Sequence, residues 1–279
     1  MAKKLKLKNN ILFSIVCIVF ISCSYKNCED KNRLNNKIPL SFYHIEDTVY
    51  NLNSFDDFNS FMAENPILSE AFFETKNSIK KKEELFSLIN NIYFDSLYFE
   101  VNNTFKSFNS KKQEFEDSFT RLKAILPQVN IPKITTIVSG FYNDVVVVDN
   151  NIIIGLDYFL DNDSRFKPQD IPDYILKRYS PDNLVPITMS VYCSQFNKTN
   201  PLDNTMISEM LNFGKLYYLL ETILPCVSPY NLIGYSQEEW TLINQNEEII
   251  YGVFVDRQLF FETNHLIKNK YLSERPKTF

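Results

Sequence analysis

Between Pro132 and Gly155 the periodicity of the chain changes, and no other stretch limits the fold as strongly. Three short β-branched runs, Ile134–Ser139, Asp144–Val148 and Ile152–Gly155, are separated by turn-like breaks at Gly140–Asn143 and Asp149–Asn151. Runs of that length between such breaks predict a small antiparallel meander. On both sides apolar residues recur at helical steps. Phe55, Phe58 and Phe61-Met62 start the first block, and Phe115, Phe119, Leu122 and Leu126 end it. Met206, Met210, Phe213, Tyr217 and Leu220 carry a helix from Thr205 to Leu224 after the sheet. Ser110 with Gln113, and Ser236 with Glu239, read as capping boxes. The helix from Ser236 to Phe261 is apolar around much of its girth, which predicts a central position. Asp170 and Pro172 open a short helix ending near Tyr179, and Ile187–Cys193 reads as a further strand. The fold class is therefore α+β: N-terminal helices, a small antiparallel β-meander, then two buried C-terminal helices.

The N-terminus says where the protein lives. Lys3, Lys4, Lys6 and Lys8 precede an apolar run, Ile11 to Ile21, too short to span a bilayer. Phe20-Ile21-Ser22-Cys23 follows, a small residue before a cysteine, as in a bacterial lipobox. Residues 1–22 read as a lipoprotein signal peptide, Cys23 as the lipidated residue, residues 23–36 as a tether and residues 37–279 as one domain. Several acyl chains on Cys23 would hold the protein on a membrane, at the periplasmic face or the cell surface. Glu29-Asp30 shortly after the lipid cysteine reads as a weak surface-export signal.

Cleavage removes four lysines and leaves 25 basic against 34 acidic side chains, a balance of −9. An acidic chain does not suit nucleic acid. Cys28, Cys193 and Cys226 remain, which allows one disulfide and no framework. Five glycines, no two within three residues of each other, exclude phosphate-binding loops. His44 and His265 stand near no Ser or Cys in a nucleophile motif.

One helix has the outline of a zinc hydrolase. In Thr205–Lys215, Glu209 stands where such a helix carries its general base. Ser208 and Asn212 fill the two positions where histidines would bind the ion, and a hydroxyl and an amide bind zinc poorly. Glu247, 35 residues beyond Asn212, is placed like a third, carboxylate ligand. Glu209, Lys215, Glu221 and Glu247 lie on helices read as buried, so a Lys–Glu ion-pair network among them is expected. Neither a cofactor nor a metal is called for. The alternative is a metal-dependent hydrolase using Glu209 as general base, and a third reading is a purely structural lipoprotein.

Four phrases, "IIIGLDYFL" (Ile152–Leu160), "FKPQDIPDYILKRYSPDNL" (Phe166–Leu184), "MLNFGKLYYLLETILP" (Met210–Pro225) and "LIGYSQEEWTLINQNEEIIYGVF" (Leu232–Phe254), resemble the Bacteroidetes gliding-motility lipoprotein GldB family. The resemblance runs from about Phe55 onward. It implies an envelope lipoprotein of a gliding-motility or associated secretion apparatus, touching other envelope or motility proteins. It supplies no reaction and no catalytic residues, and the family occurs also in bacteria that do not glide. It implies a remote, ligand-poor relationship to zincin-type peptidases, so that a degenerate cleft would serve as a binding groove. The expected groove lies beside Ile152–Gly155, where an exposed strand edge would accept an extended peptide. Family members usually extend some tens of residues past Glu274–Phe279 into a final helix, which would leave aromatic core uncovered in this chain.

Overall fold

A computed structural model of the protein describes residues 37–76, 78–169, 171–198 and 200–272. These residues fall within one unit, Asn36–Phe279. The signal peptide, Cys23 and Cys28 lie outside the described residues.

Strands β1 (Ser41–His44), β2 (Lys133–Ile137), β3 (Val145–Val148) and β4 (Asn151–Gly155) form a four-stranded sheet in the order β1-β2-β4-β3. The β1–β2 and β2–β4 pairs are parallel, with Phe42 opposite Ile134 and Ile134 opposite Ile152. Only β3–β4 is antiparallel, with Val147 opposite Ile152. The sheet is thus mixed, and the expected antiparallel meander is corrected. Asp149, at φ +50°, turns the chain tightly after β3. The returning strand β4 then slots between β3 and β2, so β2 and β4 run the same way. Ile152, Ile153 and Ile154 are all buried, as in a central strand covered on both faces. The edge strand β1 was not anticipated, because its mostly exposed residues carry no apolar alternation.

Parallel pairing of β1 and β2 requires a crossover. Here it carries α1 (Glu46–Tyr50), α2 (Phe55–Glu64), α3 (Ile79–Ile89), α4 (Ile92–Thr104) and α5 (Asn109–Ile125). Ser54, Ser78 and Asn91 cap α2, α3 and α4 through their side chains. The Ser110–Gln113 capping box does not form, since α5 begins at Asn109 with Phe108 at its N-cap, which puts Ser110 inside the first turn. The stripe read for α5 does reach the core: Phe115, Phe119 and Leu122 are fully buried.

Beyond the sheet come α6 (Asp173–Leu176), α7 (Leu184–Ser194) and α8 (Met206–Ile223). Helix α7 replaces the strand expected at Ile187–Cys193. Its buried residues Leu184, Val185, Thr188, Met189, Tyr192 and Cys193 follow helical spacing. The Thr188 hydroxyl donates to the Leu184 carbonyl at 2.7 Å, which lets a β-branched residue sit inside the helix. Pro186 lies in the first turn, where its missing N–H costs nothing. Helix α7 packs on β3, α5 and α8.

The last helix read from the sequence divides. After α9 (Pro229–Ile233) come α10 (Gln237–Gln245), α11 (Glu247–Asp256) and α12 (His265–Leu272). The Ser236–Glu239 capping box forms at α10 as expected. Asn246 then breaks the helix, at φ −115° and ψ 14°, while its side-chain amide donates to the Leu242 carbonyl at 2.8 Å. Gln258 adopts a left-handed conformation after α11. Neither α10 nor α11 has a buried residue, so the expectation of a second central helix is corrected. Broken into short pieces, this segment cannot thread the core as one rod.

Two packing details can be tested. A Cβ on Gly155 would stand 2.2 Å from the Asn143 carbonyl oxygen. Gly155→Ala is therefore expected to cost about 3 kcal/mol, the upper end of overpacking penalties, measured by urea unfolding. Cys193 is a free, buried thiol, and burial pushes its pKa up to about 12. Iodoacetamide at neutral pH should label it only after the chain is unfolded.

Candidate functional site

Two carboxylates occupy positions where chemistry would be sought first. Asp157 follows β4, at the C-terminal end of the parallel strands, where open α/β sheets place their ligands. It is 1% exposed. Burial pushes its carboxyl above the usual range, against hydrogen bonds from Phe141 and Ser139 that pull it down. Oδ1 accepts the Ser139 backbone N–H at 3.1 Å and Oδ2 accepts the Phe141 N–H at 2.5 Å. The Ser139 hydroxyl reaches both oxygens, at 3.3 and 3.1 Å. These donors surround the carboxylate and direct it into the β2–β3 connection. Nearby, the Tyr179 hydroxyl donates to Asp144 Oδ2 at 2.5 Å, and burial with that carboxylate raises the phenol above its ordinary pKa. A small cavity beside Asp157 is lined by Tyr158, Phe166, Lys167, Leu176 and Tyr179. The sequence reading missed Asp157 as an anchor. Its signal was an acidic residue directly after three strand isoleucines and a glycine-leucine pair, inside "IIIGLDYFL".

The second carboxylate is Glu209, in the first turns of α8. Thr205 caps this helix, accepting the Ser208 N–H at 3.4 Å. Asp203 Oδ1 in turn accepts the Thr205 hydroxyl at 2.6 Å, which holds the Asp203 carboxyl below its usual range. Glu209 is ion-paired with Lys268 of α12. Lys268 is 5% exposed and also donates to the Asn204 carbonyl at 2.7 Å. A buried ammonium with these two partners is satisfied. The other residues singled out around Glu209 are dispersed in character. Ser208 and Asn212 are half-buried, and the Asn212 carbonyl accepts from the Asn197 amide at 2.6 Å. Glu247 is exposed at the start of α11, and Lys215 and Glu221 are exposed on α8. The ion pair thus joins a half-exposed Glu209 to the buried Lys268, a lysine that periodicity alone did not single out. Among the described residues, no three His, Cys, Asp or Glu side chains are grouped to hold a metal ion.

The groove expected beside Ile152–Gly155 is corrected as well. Strand β4 is paired on both sides, to β2 and to β3, so it has no free edge for an added strand.

What remains open is a surface. On α11, Ile249 is 66% and Tyr251 is 62% exposed; Phe261 beyond it is 75% and Leu266 on α12 is 70% exposed. These elements are joined by ring contacts, Tyr251 to Phe260 at 5.7 Å, Phe254 to Phe260 at 5.5 Å and Phe254 to Tyr271 at 5.6 Å. On α12 the usual polarity is inverted. Lys268 points inward to Glu209 while Leu266 and Ile267 face outward. These apolar side chains are exposed on adjoining elements of the described residues.

A sequence model of the family described as gliding motility protein GldB matches residues 27–279. No curated protein and no solved structure matches the chain.

The ion pair makes an asymmetric prediction. Glu209→Gln leaves a buried ammonium without its counter-charge and is expected to cost about 1–3 kcal/mol. Adding Lys268→Met to that variant should recover most of the loss, because an apolar side chain needs no partner in the same space. Urea unfolding of the wild type, the single variant and the double variant measures both effects.

Proposed function

The chain belongs to the GldB family of gliding motility proteins, and we propose that it acts as a lipid-anchored envelope protein that binds other proteins of the motility apparatus and performs no catalysis itself. Family membership supports the association with gliding motility and the cell envelope. No helix among the described residues is long and apolar enough to cross a membrane, and in this reading the anchor is the lipid on Cys23.

The observation that carries the non-catalytic part is the Glu209–Lys268 ion pair. A general base must accept a proton from a water or hydroxyl within hydrogen-bond reach. Glu209 already holds a buried ammonium, and its neighbours on the helix, Ser208 and Asn212, are neutral. This is the chemistry of a clamp between α8 and α12. In this proposal the zincin-like outline of the helix is a scaffold feature.

Complementation in a gliding bacterium deleted for its own family member separates the readings. Cys23→Ala should leave the protein off the membrane and fail to restore spreading. The Glu209→Gln and Lys268→Met double variant should restore it as wild type does. If the double variant accumulates normally, fractionates with membranes and yet fails to restore spreading, Glu209 has a chemical role and the binding reading falls.

A further inference from the structure

We infer that Cys226 is joined by a disulfide to Cys28, so that the lipid-bearing tether is strapped to the turn between α8 and α9. The inference rests on the lipid-anchor reading above, because that reading removes Cys17 and uses the thiol of Cys23.

The cysteines divide by their chemistry. The chain has five: Cys17, Cys23, Cys28, Cys193 and Cys226. Cys193 is a free thiol, 1% exposed and packed in the core. Cys226 is disulfide-bonded. Its second sulfur therefore comes from Cys17, Cys23 or Cys28, which lie outside the described residues. Signal-peptide cleavage before Cys23 removes Cys17, and lipid transfer turns the Cys23 thiol into a thioether. Cys28 is the thiol that is left.

The described residues put this bond within reach. Cys226 is exposed in the turn that follows α8. That turn is fixed: the Val227 N–H donates to the Leu224 carbonyl at 3.0 Å, Leu224 is buried and Val227 packs against the core. The described chain begins beside the same end of α8. Lys37 pairs with Asp117 at 2.7 Å, and the Ile38 N–H donates to the Thr120 hydroxyl at 2.9 Å, both on α5. Arg121, next along α5, donates to the Ile223 carbonyl at 3.4 Å. Packed helices lie about 8–10 Å apart. Nine residues separate Cys28 from Lys37, and a chain of that length spans up to about 30 Å. The tether has length to spare.

The chemistry is that of the envelope, where disulfides persist. Two thiols give up two electrons and two protons. The disulfide of an envelope thiol oxidase accepts them by thiol–disulfide exchange and becomes a dithiol. Five residues then separate the lipid-bearing Cys23 from the cross-link, a reach of at most about 18 Å. Without the bond the domain hangs from Cys23 by fourteen residues, counted to Lys37, a reach of up to about 50 Å. The strap shortens the leash and ties it to one fixed turn of the domain.

The test uses the full-length protein, extracted from membranes with thiols blocked by N-ethylmaleimide, then digested and mapped by mass spectrometry. A linked peptide pair containing Cys28 and Cys226 is expected, lighter by two hydrogens than the two thiol peptides together, with Cys23 acylated and Cys193 unlinked. A second arm inserts a site for a sequence-specific protease after Asn35. The cut domain should stay with the membranes until dithiothreitol is added. In Cys28→Ser it should be released without reductant. Maleimide on both Cys28 and Cys226, a link from Cys226 to a second copy of the chain, or release of the cut wild-type domain without reductant overturns the inference. The two readings fail separately. Maleimide on Cys226 beside an acylated Cys23 sinks the strap and leaves the anchor. A Cys28–Cys226 link beside an unacylated Cys23 sinks the anchor and leaves the strap. A Cys23–Cys226 link sinks both.

Discussion

The buried carboxylate of Asp157 holds the sheet in its observed order. The β2–β3 connection and the end of β4 must approach closely for β4 to lie between two neighbours. Gly155 permits that approach, with the Asn143 carbonyl where a side chain would be. Asp157 secures it by accepting from Ser139 and Phe141, on the strand connection it faces. Gly140 and Phe141 both have positive φ, so the connection is also a conformationally costly turn. Hydrogen bonds to a buried charge are among the stronger interactions available to a fold. Without them the turn has no reason to stay folded over the carboxylate, and the central strand has no fixed register.

The same logic governs Glu209. Both carboxylates attract functional interest, one by its place at the sheet end and one by its place on a zincin-like helix. Each is engaged by the chain itself, Asp157 by backbone and hydroxyl donors, Glu209 by Lys268. The Lys268 contact also orients α12. Drawing a lysine inward turns Leu266 and Ile267 outward, so the polar clamp and the apolar surface have one cause.

Parts of this were legible in advance and parts were not, for definable reasons. The α5 stripe at Phe115, Phe119 and Leu122 and the Ser236–Glu239 cap depend on residues within a turn or two, and both form. The triple isoleucine of β4 also carried a message, since a run buried on both faces belongs to a central strand. It was read as part of a sequential meander because neighbouring strands usually pair in order. The α7 segment misled through its β-branched residues, whose strand preference is overridden by burial against β3, α5 and α8. Lys268 was overlooked because a lysine in a short C-terminal helix is ordinarily solvated, and only the position of Glu209, 59 residues earlier, brings it inside.

By itself, the sequence determined the α+β class, the major helices before and after the sheet, and the family to which the chain belongs. Those properties follow from side-chain type and short spacing, which act through local backbone preference and the burial of one face. The tertiary structure alone decided strand order, parallel pairing, the partner of Glu209 and which helices remain uncovered. Each of these is a contact between segments far apart in the chain. Such contacts are set by which arrangement satisfies buried charges and fills space, and no local pattern encodes that competition.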